Sequence, residues 1–163
     1  MGMRSSARRR LVWGSAIVAV LFVVTASMAG AAAPPKFQLV VTDEVVNGSL
    51  HFVVATVPPV AEPGTYKVGL ANNSVAPHVL IAVGGLPAGI TEAQFIALLD
   101  AGAPPPGVFE AGAVFSKQGQ DHQKQFDLTT PGQYGYFCPI PSIIDGTPHY
   151  KEGFVGHFRV EAP

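Results

Sequence analysis

A chain of 163 residues with 10 Lys and Arg against 11 Asp and Glu carries a formal net charge of −1. Its basic residues cluster only in the first ten positions, which argues against nucleic acid as a partner. A single cysteine, Cys138, excludes an internal disulfide.

The N-terminal stretch reads as an export signal rather than as part of a fold. Arg4, Arg8, Arg9 and Arg10 precede an apolar run over 11–24, and the small residues of 26–33 offer small-x-small cleavage positions ahead of Pro34 and Pro35. An uncleaved membrane anchor is the competing reading, because apolar and small residues run from Leu11 to Ala33, about enough to span a bilayer. The expected organisation is a leader over 1–33 and one domain over 34–163. The protein is expected outside the cytoplasm, in a periplasm, at a cell surface or secreted. Any membrane contact would come through an uncleaved leader. Without residues 1–33, six basic residues face eleven acids, a net charge of −5, and about 130 residues remain, enough for one core.

Residues 37–45 read as a first strand, with Asn47 and Gly48 as a tight turn. The β-branched run 50–57 reads as a second strand that ends at Pro58 and Pro59. Alternation puts Leu50, Phe52 and Val54 on one face and His51 on the other, toward solvent. A turn over 62–65 leads to a strand over 66–71. The loop Asn72-Asn-Ser-Val-Ala-Pro-His78 then enters a short apolar strand over 79–83, so His78 stands where a loop meets a buried strand. Thr91 and Gln94 have capping-box spacing, and Phe95, Leu98 and Leu99 form one apolar stripe, which predicts a helix. Gly102 and the prolines 104–106 end it.

Residues 108–115 and 120–128 read as further strands, with His122 on a solvated face. Pro131 and Gly132 turn the chain into a final hairpin that begins at Tyr134. In its returning arm Phe154, Phe158 and Val160 share one face, while Val155, His157 and Arg159 share the other. Short strands separated by turn signals, with one inserted helix, define an all-β fold: a Greek-key antiparallel β-sandwich.

Chemistry concentrates at the end of the chain, in Tyr134-Gly-Tyr-Phe-Cys138, a Pro/Gly-rich loop and His149. One thiolate with imidazoles suits copper, provided another histidine joins from elsewhere. The alternative is a buried structural cysteine, since free cysteine is among the most buried residue types. Phe137 alternates with Cys138 and points to the opposite face, either as a partner contact or packed beneath the helix.

These residues resemble the cupredoxin family, the plastocyanin, pseudoazurin and azurin group of blue-copper proteins. Asn72-Asn-x-x-x-Pro-His78 is similar to the family's first-ligand motif. Tyr134-x-x-x-Cys138 followed by Pro148-His149-x-x-x-Gly153-Phe154 is similar to its ending, and Gly156-x-x-x-Val160 to its terminal Gly-x-x-x-Val. The resemblance implies one type 1 copper ion held by His78, Cys138 and His149, with Phe154 in place of the axial methionine. Phenylalanine has no lone pair to donate, so the implied site is three-coordinate and dry, favours the cuprous form and has a raised potential. The loop between Cys138 and His149 is ten residues long, longer than in plastocyanin, and Ile143 stands where a shorter loop would put its histidine. The family's loop histidine lies near the surface, which nominates His149 as the electron exit.

The implied activity is that of a monomeric electron carrier with a redox partner protein, not a catalyst. Two alternatives are a copper-binding module with no carrier role, and a metal-free cupredoxin-fold domain that binds or supports other molecules. A cysteine hydrolase would need an oxyanion loop and an orienting carboxylate beside Cys138 and His78, and the sequence offers neither.

Overall fold

The computed structural model describes residues 34–46, 49–55 and 60–162. The leader over 1–33, the turn at 47–48 and the strand end at Pro58 and Pro59 lie outside the described residues.

Nine strands and one α-helix are formed among the described residues: β1 (Lys36–Val46), β2 (Ser49–Ala55), β3 (Val60–Ala61), β4 (Gly64–Asn72), β5 (His78–Leu86), α1 (Glu92–Asp100), β6 (Phe109–Ser116), β7 (Asp121–Leu128), β8 (Gly132–Phe137) and β9 (Val155–Val160). A short 3₁₀ helix, His149–Glu152, precedes β9. The strands form a four-stranded sheet, β2-β1-β4-β7, and a five-stranded sheet, β3-β9-β8-β5-β6. Neighbours are mostly antiparallel, as expected of the Greek-key sandwich, but β1–β4 and β3–β9 run parallel.

Period-2 patterning builds the core between the sheets. In β4, Tyr66, Val68 and Leu70 point inward, and Phe126 and Leu128 of β7 do the same. Leu80 and Ala82 of β5, Tyr134 of β8 and Phe158 and Val160 of β9 meet them from the other sheet. Tyr134 donates a 2.9 Å bond back to the Thr130 carbonyl oxygen, fixing the turn into β8 as a tyrosine corner.

Helix α1 begins as the sequence predicts. The Gln94 amide N–H donates to Thr91 Oγ1 at 3.2 Å, and the Thr91 amide N–H donates to Gln94 Oε1 at 2.9 Å. Its inward residue, Phe95, packs on the outer face of the five-stranded sheet with Leu86, Ile90, Tyr150 and Val155. Gly135 permits this approach, because a Cβ there would lie 2.5 Å from the Phe95 ring. No helix among the described residues is long and apolar enough to cross a membrane.

Candidate metal centre

Pairing of β5 with β8 brings the first two chemical groups together. The ladder aligns Ile81 with Phe137, so His78 at the start of β5 and Cys138 just past β8 meet at one end of the five-stranded sheet. The Val79 amide N–H points at Cys138 Sγ, 3.4 Å away.

The ten residues from 139 to 148 return the chain to this point by closing on themselves. The His149 amide N–H donates to the Ile140 carbonyl oxygen at 2.9 Å, and the Tyr150 N–H donates to the Cys138 carbonyl oxygen at 3.0 Å. An isolated bridge pairs Pro141 with Pro148. The extra length is therefore an excursion with its own bonds, such as Ser142 N–H to the Thr147 carbonyl oxygen at 2.7 Å. Ile143 at its tip is 93 % exposed, well away from the cluster. The 3₁₀ helix that follows ends at Gly153 in a left-handed conformation, φ +99°, and Gly153 lies so close to Phe52 of β2 that a Cβ would sit 2.5 Å from the Phe52 carbonyl oxygen.

His78, Cys138 and His149 are all buried, and one donor atom from each lies within 4.8 Å of the others. Cys138 Sγ is 3.5 Å from His149 Nδ1, which is 3.2 Å from His78 Nδ1. Metal bonds of about 2.0–2.1 Å to nitrogen and about 2.3 Å to sulfur, opened to about 120°, put two nitrogens about 3.5 Å apart and nitrogen and sulfur about 3.8 Å apart. The two separations that involve His149 are thus a few tenths of an ångström shorter than one trigonal metal requires, and the remaining one lies within 4.8 Å. One soft sulfur with two imidazoles is the donor set of a copper ion.

Aromatic rings close the space around these donors. Phe154 stacks on His78 with ring centroids 4.8 Å apart and an interplanar angle of 16°. Phe52, from the opposite sheet, lies 4.5 Å from both imidazole centroids. Behind His78 the loop is polar. Ser74 Oγ is 2.7 Å from His78 Nε2, and Asn72 Nδ2 donates to the Ala76 and Ser116 carbonyl oxygens at 2.7 and 3.1 Å.

Burial governs the charges. It lowers His78 from 6.5 to about 3, with the neighbouring His149 ring adding to the effect, and lowers His149 to about 4. Burial pushes the Cys138 thiol up, against the pull of the Val79 and Ile140 amides. Both imidazoles are therefore neutral and ready to donate at neutral pH, while a thiolate here needs a cation beside it. Glu152 on the 3₁₀ helix is also buried, and desolvation together with the Asp145 carboxylate raises it.

One expectation needs correction. His149 is not a surface residue: it is 1 % exposed, because the loop seats it beneath Phe52. Of the two alternatives for Phe137, on the face opposite Cys138, the structure forms the packing beneath α1, edge-on to Phe95 at 6.0 Å and to Tyr150 at 6.3 Å. It lines a groove of about 560 Å³ with Phe95, Leu98, Pro139 and Pro148.

The other histidines stay apart from the cluster. His157 is exposed, His51 is half-buried, and the exposed His122 directs Nδ1 to the Phe115 carbonyl oxygen at 2.9 Å. Sequence reasoning missed Ser74 and the role of Phe52. Alternation places Phe52 inward, but only the tertiary arrangement sets it over two imidazoles.

A Greek-key sandwich whose end holds a buried His–Cys–His cluster, with the thiol just past one strand and an imidazole on the loop after it, is cupredoxin-like, and the cluster fits a type 1 copper site. No family model matches the chain, and no curated protein matches it. Similar solved structures include the dithionite-reduced auracyanin of Roseiflexus castenholzii, 17 % identical over 79 % of this chain and 98 % of that one, at a TM-score of 0.49. Auracyanin A, a "blue" copper protein from Chloroflexus aurantiacus, is 17 % identical over 77 % and 99 % of the two chains, at 0.46. A copper-containing nitrite reductase of Thermus scotoductus is 20 % identical over 80 % of this chain but only 28 % of its own, at 0.44.

Proposed function

We propose that this protein is an exported blue-copper protein that binds one copper ion through His78, Cys138 and His149 and carries single electrons between partner proteins. The observation behind this is the convergence of three buried donors, with Sγ–Nδ1 and Nδ1–Nδ1 separations of 3.5 and 3.2 Å. Copper bound there would supply a one-electron couple. The chain's own contribution is restraint. His78 is held by a strand, Cys138 by the end of another, and His149 by a loop closed on its own hydrogen bonds, so the donors move little between states. Phe52 and Phe154 keep water out, and Phe154 offers no fourth donor.

The test is optical. Purified protein given Cu(II) is expected to develop intense absorption toward the red end of the visible, and Cys138→Ser to lose it. A protein that stays colourless in excess Cu(II) refutes the proposal.

A second reading, a module that stores copper without exchanging electrons, also fits donors closed off from solvent. All three donor residues are at most 1 % exposed, so no ligand edge reaches the surface. Repeated oxidation and reduction with copper retained selects the carrier, and release of copper on reduction selects the storage module.

A further inference from the structure

The hydroxyl behind His78 bears on where its ring proton lies. Ser74 is fully buried, four residues before His78, and its Oγ is 2.7 Å from His78 Nε2. The neighbouring amide of Asn72 can be oriented in only one way. Its Oδ1 accepts the Ser74 backbone N–H at 3.0 Å, and its Nδ2 faces the Ala76 and Ser116 carbonyl oxygens at 2.7 and 3.1 Å. Ser74 Oγ has three acceptors within reach of its single proton, Asn72 Oδ1 at 2.8 Å, the Ala76 carbonyl oxygen at 3.1 Å and His78 Nε2 itself, and it accepts the Ala76 backbone N–H at 3.4 Å. When the proton goes to Asn72 Oδ1 or to the Ala76 carbonyl oxygen, the hydroxyl turns a lone pair to the imidazole and Nε2 carries the hydrogen. A neutral imidazole has one ring N–H, so the lone pair is on Nδ1. Nδ1 is the atom that faces His149 Nδ1 at 3.2 Å.

We infer that Ser74 is a positioning residue of the metal centre, locking His78 in the Nε2–H tautomer with its Nδ1 lone pair aimed into the space shared with Cys138 and His149. The consequence for copper rests on the function proposed above, whereas the lock itself rests only on the hydrogen-bond geometry. Such a bond to the far nitrogen of a ligating histidine sets both ring orientation and donor strength. In Ser74→Ala the Nε2–H loses its acceptor, so the ring is free to take the other tautomer or to rotate.

Two measurements test this. Nitrogen NMR of the histidine rings, on metal-free protein at neutral pH, should show His78 as a single Nε2–H tautomer in the wild type and as a mixture in Ser74→Ala. Titration with Cu(II) should show affinity falling by about 10–100-fold in Ser74→Ala. Ser74→Thr, which keeps the hydroxyl, should return the single tautomer and most of the affinity. A Ser74→Ala protein with one unchanged tautomer overturns the inference, whether affinity stays the same or drops along with folding stability. If the wild type takes up no copper, the copper reading fails while the tautomer measurement still decides the lock.

Discussion

Both cluster histidines are neutral because protonating them would strand a charge among Phe52, Phe154 and the core. Their folded values, about 3 for His78 and about 4 for His149, lie below the 6.5 of an ordinary histidine. The unfolded chain therefore takes up protons first as pH falls. The metal-free protein keeps this contribution above pH 6.5 and loses it as the pH falls toward 4 and then 3, at about 1.4 kcal/mol per pH unit for each histidine. Glu152, raised by burial, acts in the opposite sense, so a Glu152→Gln background isolates the histidines. Urea unfolding at pH 7, 6 and 5 measures it, and equal stability at all three would contradict the neutral burial. At this scale much was legible: Cys138, His78 and His149 could be picked out by residue type and motif. Ser74 could not, because a serine two residues into a polar loop looks like any turn residue until its hydroxyl is seen against His78 Nε2.

The loop from Cys138 to His149 shows what an element adds. Its ten residues and three prolines can be counted, but the bond from His149 N–H to the Ile140 carbonyl oxygen that shortens its effective span cannot. Backbone groups pair there without any side-chain signature. The same closure seats the 3₁₀ helix against β2 and buries His149, against the expectation of a surface ligand. Helix α1 is the contrasting case, since Thr91, Gln94 and Phe95 announce it through cap and period. Gly153 is the point on which the loop's seating turns. Substitution to alanine forces a left-handed backbone on a residue with a Cβ and drives that Cβ against the Phe52 carbonyl oxygen, 2.5 Å away. The strained conformation alone costs about 1–3 kcal/mol. Gly153→Ala should thus lose at least about 1 kcal/mol in chemical denaturation and bind Cu(II) more weakly, since Phe52 and His149 must separate. Unchanged stability and affinity would mean that the 3₁₀ helix is not held as described.

Across the whole molecule, the alternating strands made the sandwich readable, whereas the parallel β1–β4 and β3–β9 pairings were not, because strand neighbours distant in sequence leave no local mark. The donors sit at one end of the five-stranded sheet, and Phe52 of the other sheet covers them, so the site depends on both sheets being docked. His78 is remote in the chain from Cys138 and His149, and unfolding disperses all three. Copper that binds the assembled cluster therefore stabilises the domain as a whole. At a free concentration 100 times the dissociation constant the gain is about 2.7 kcal/mol. For a domain of about 130 residues this raises the melting temperature by roughly 10 °C. The rise should disappear on chelation and should be far smaller in Cys138→Ser, which keeps both imidazoles but lacks the thiolate. An equal rise in wild type and Cys138→Ser would locate the copper elsewhere, on histidines such as His51, His122 or His157, and would detach the cluster from the proposed function.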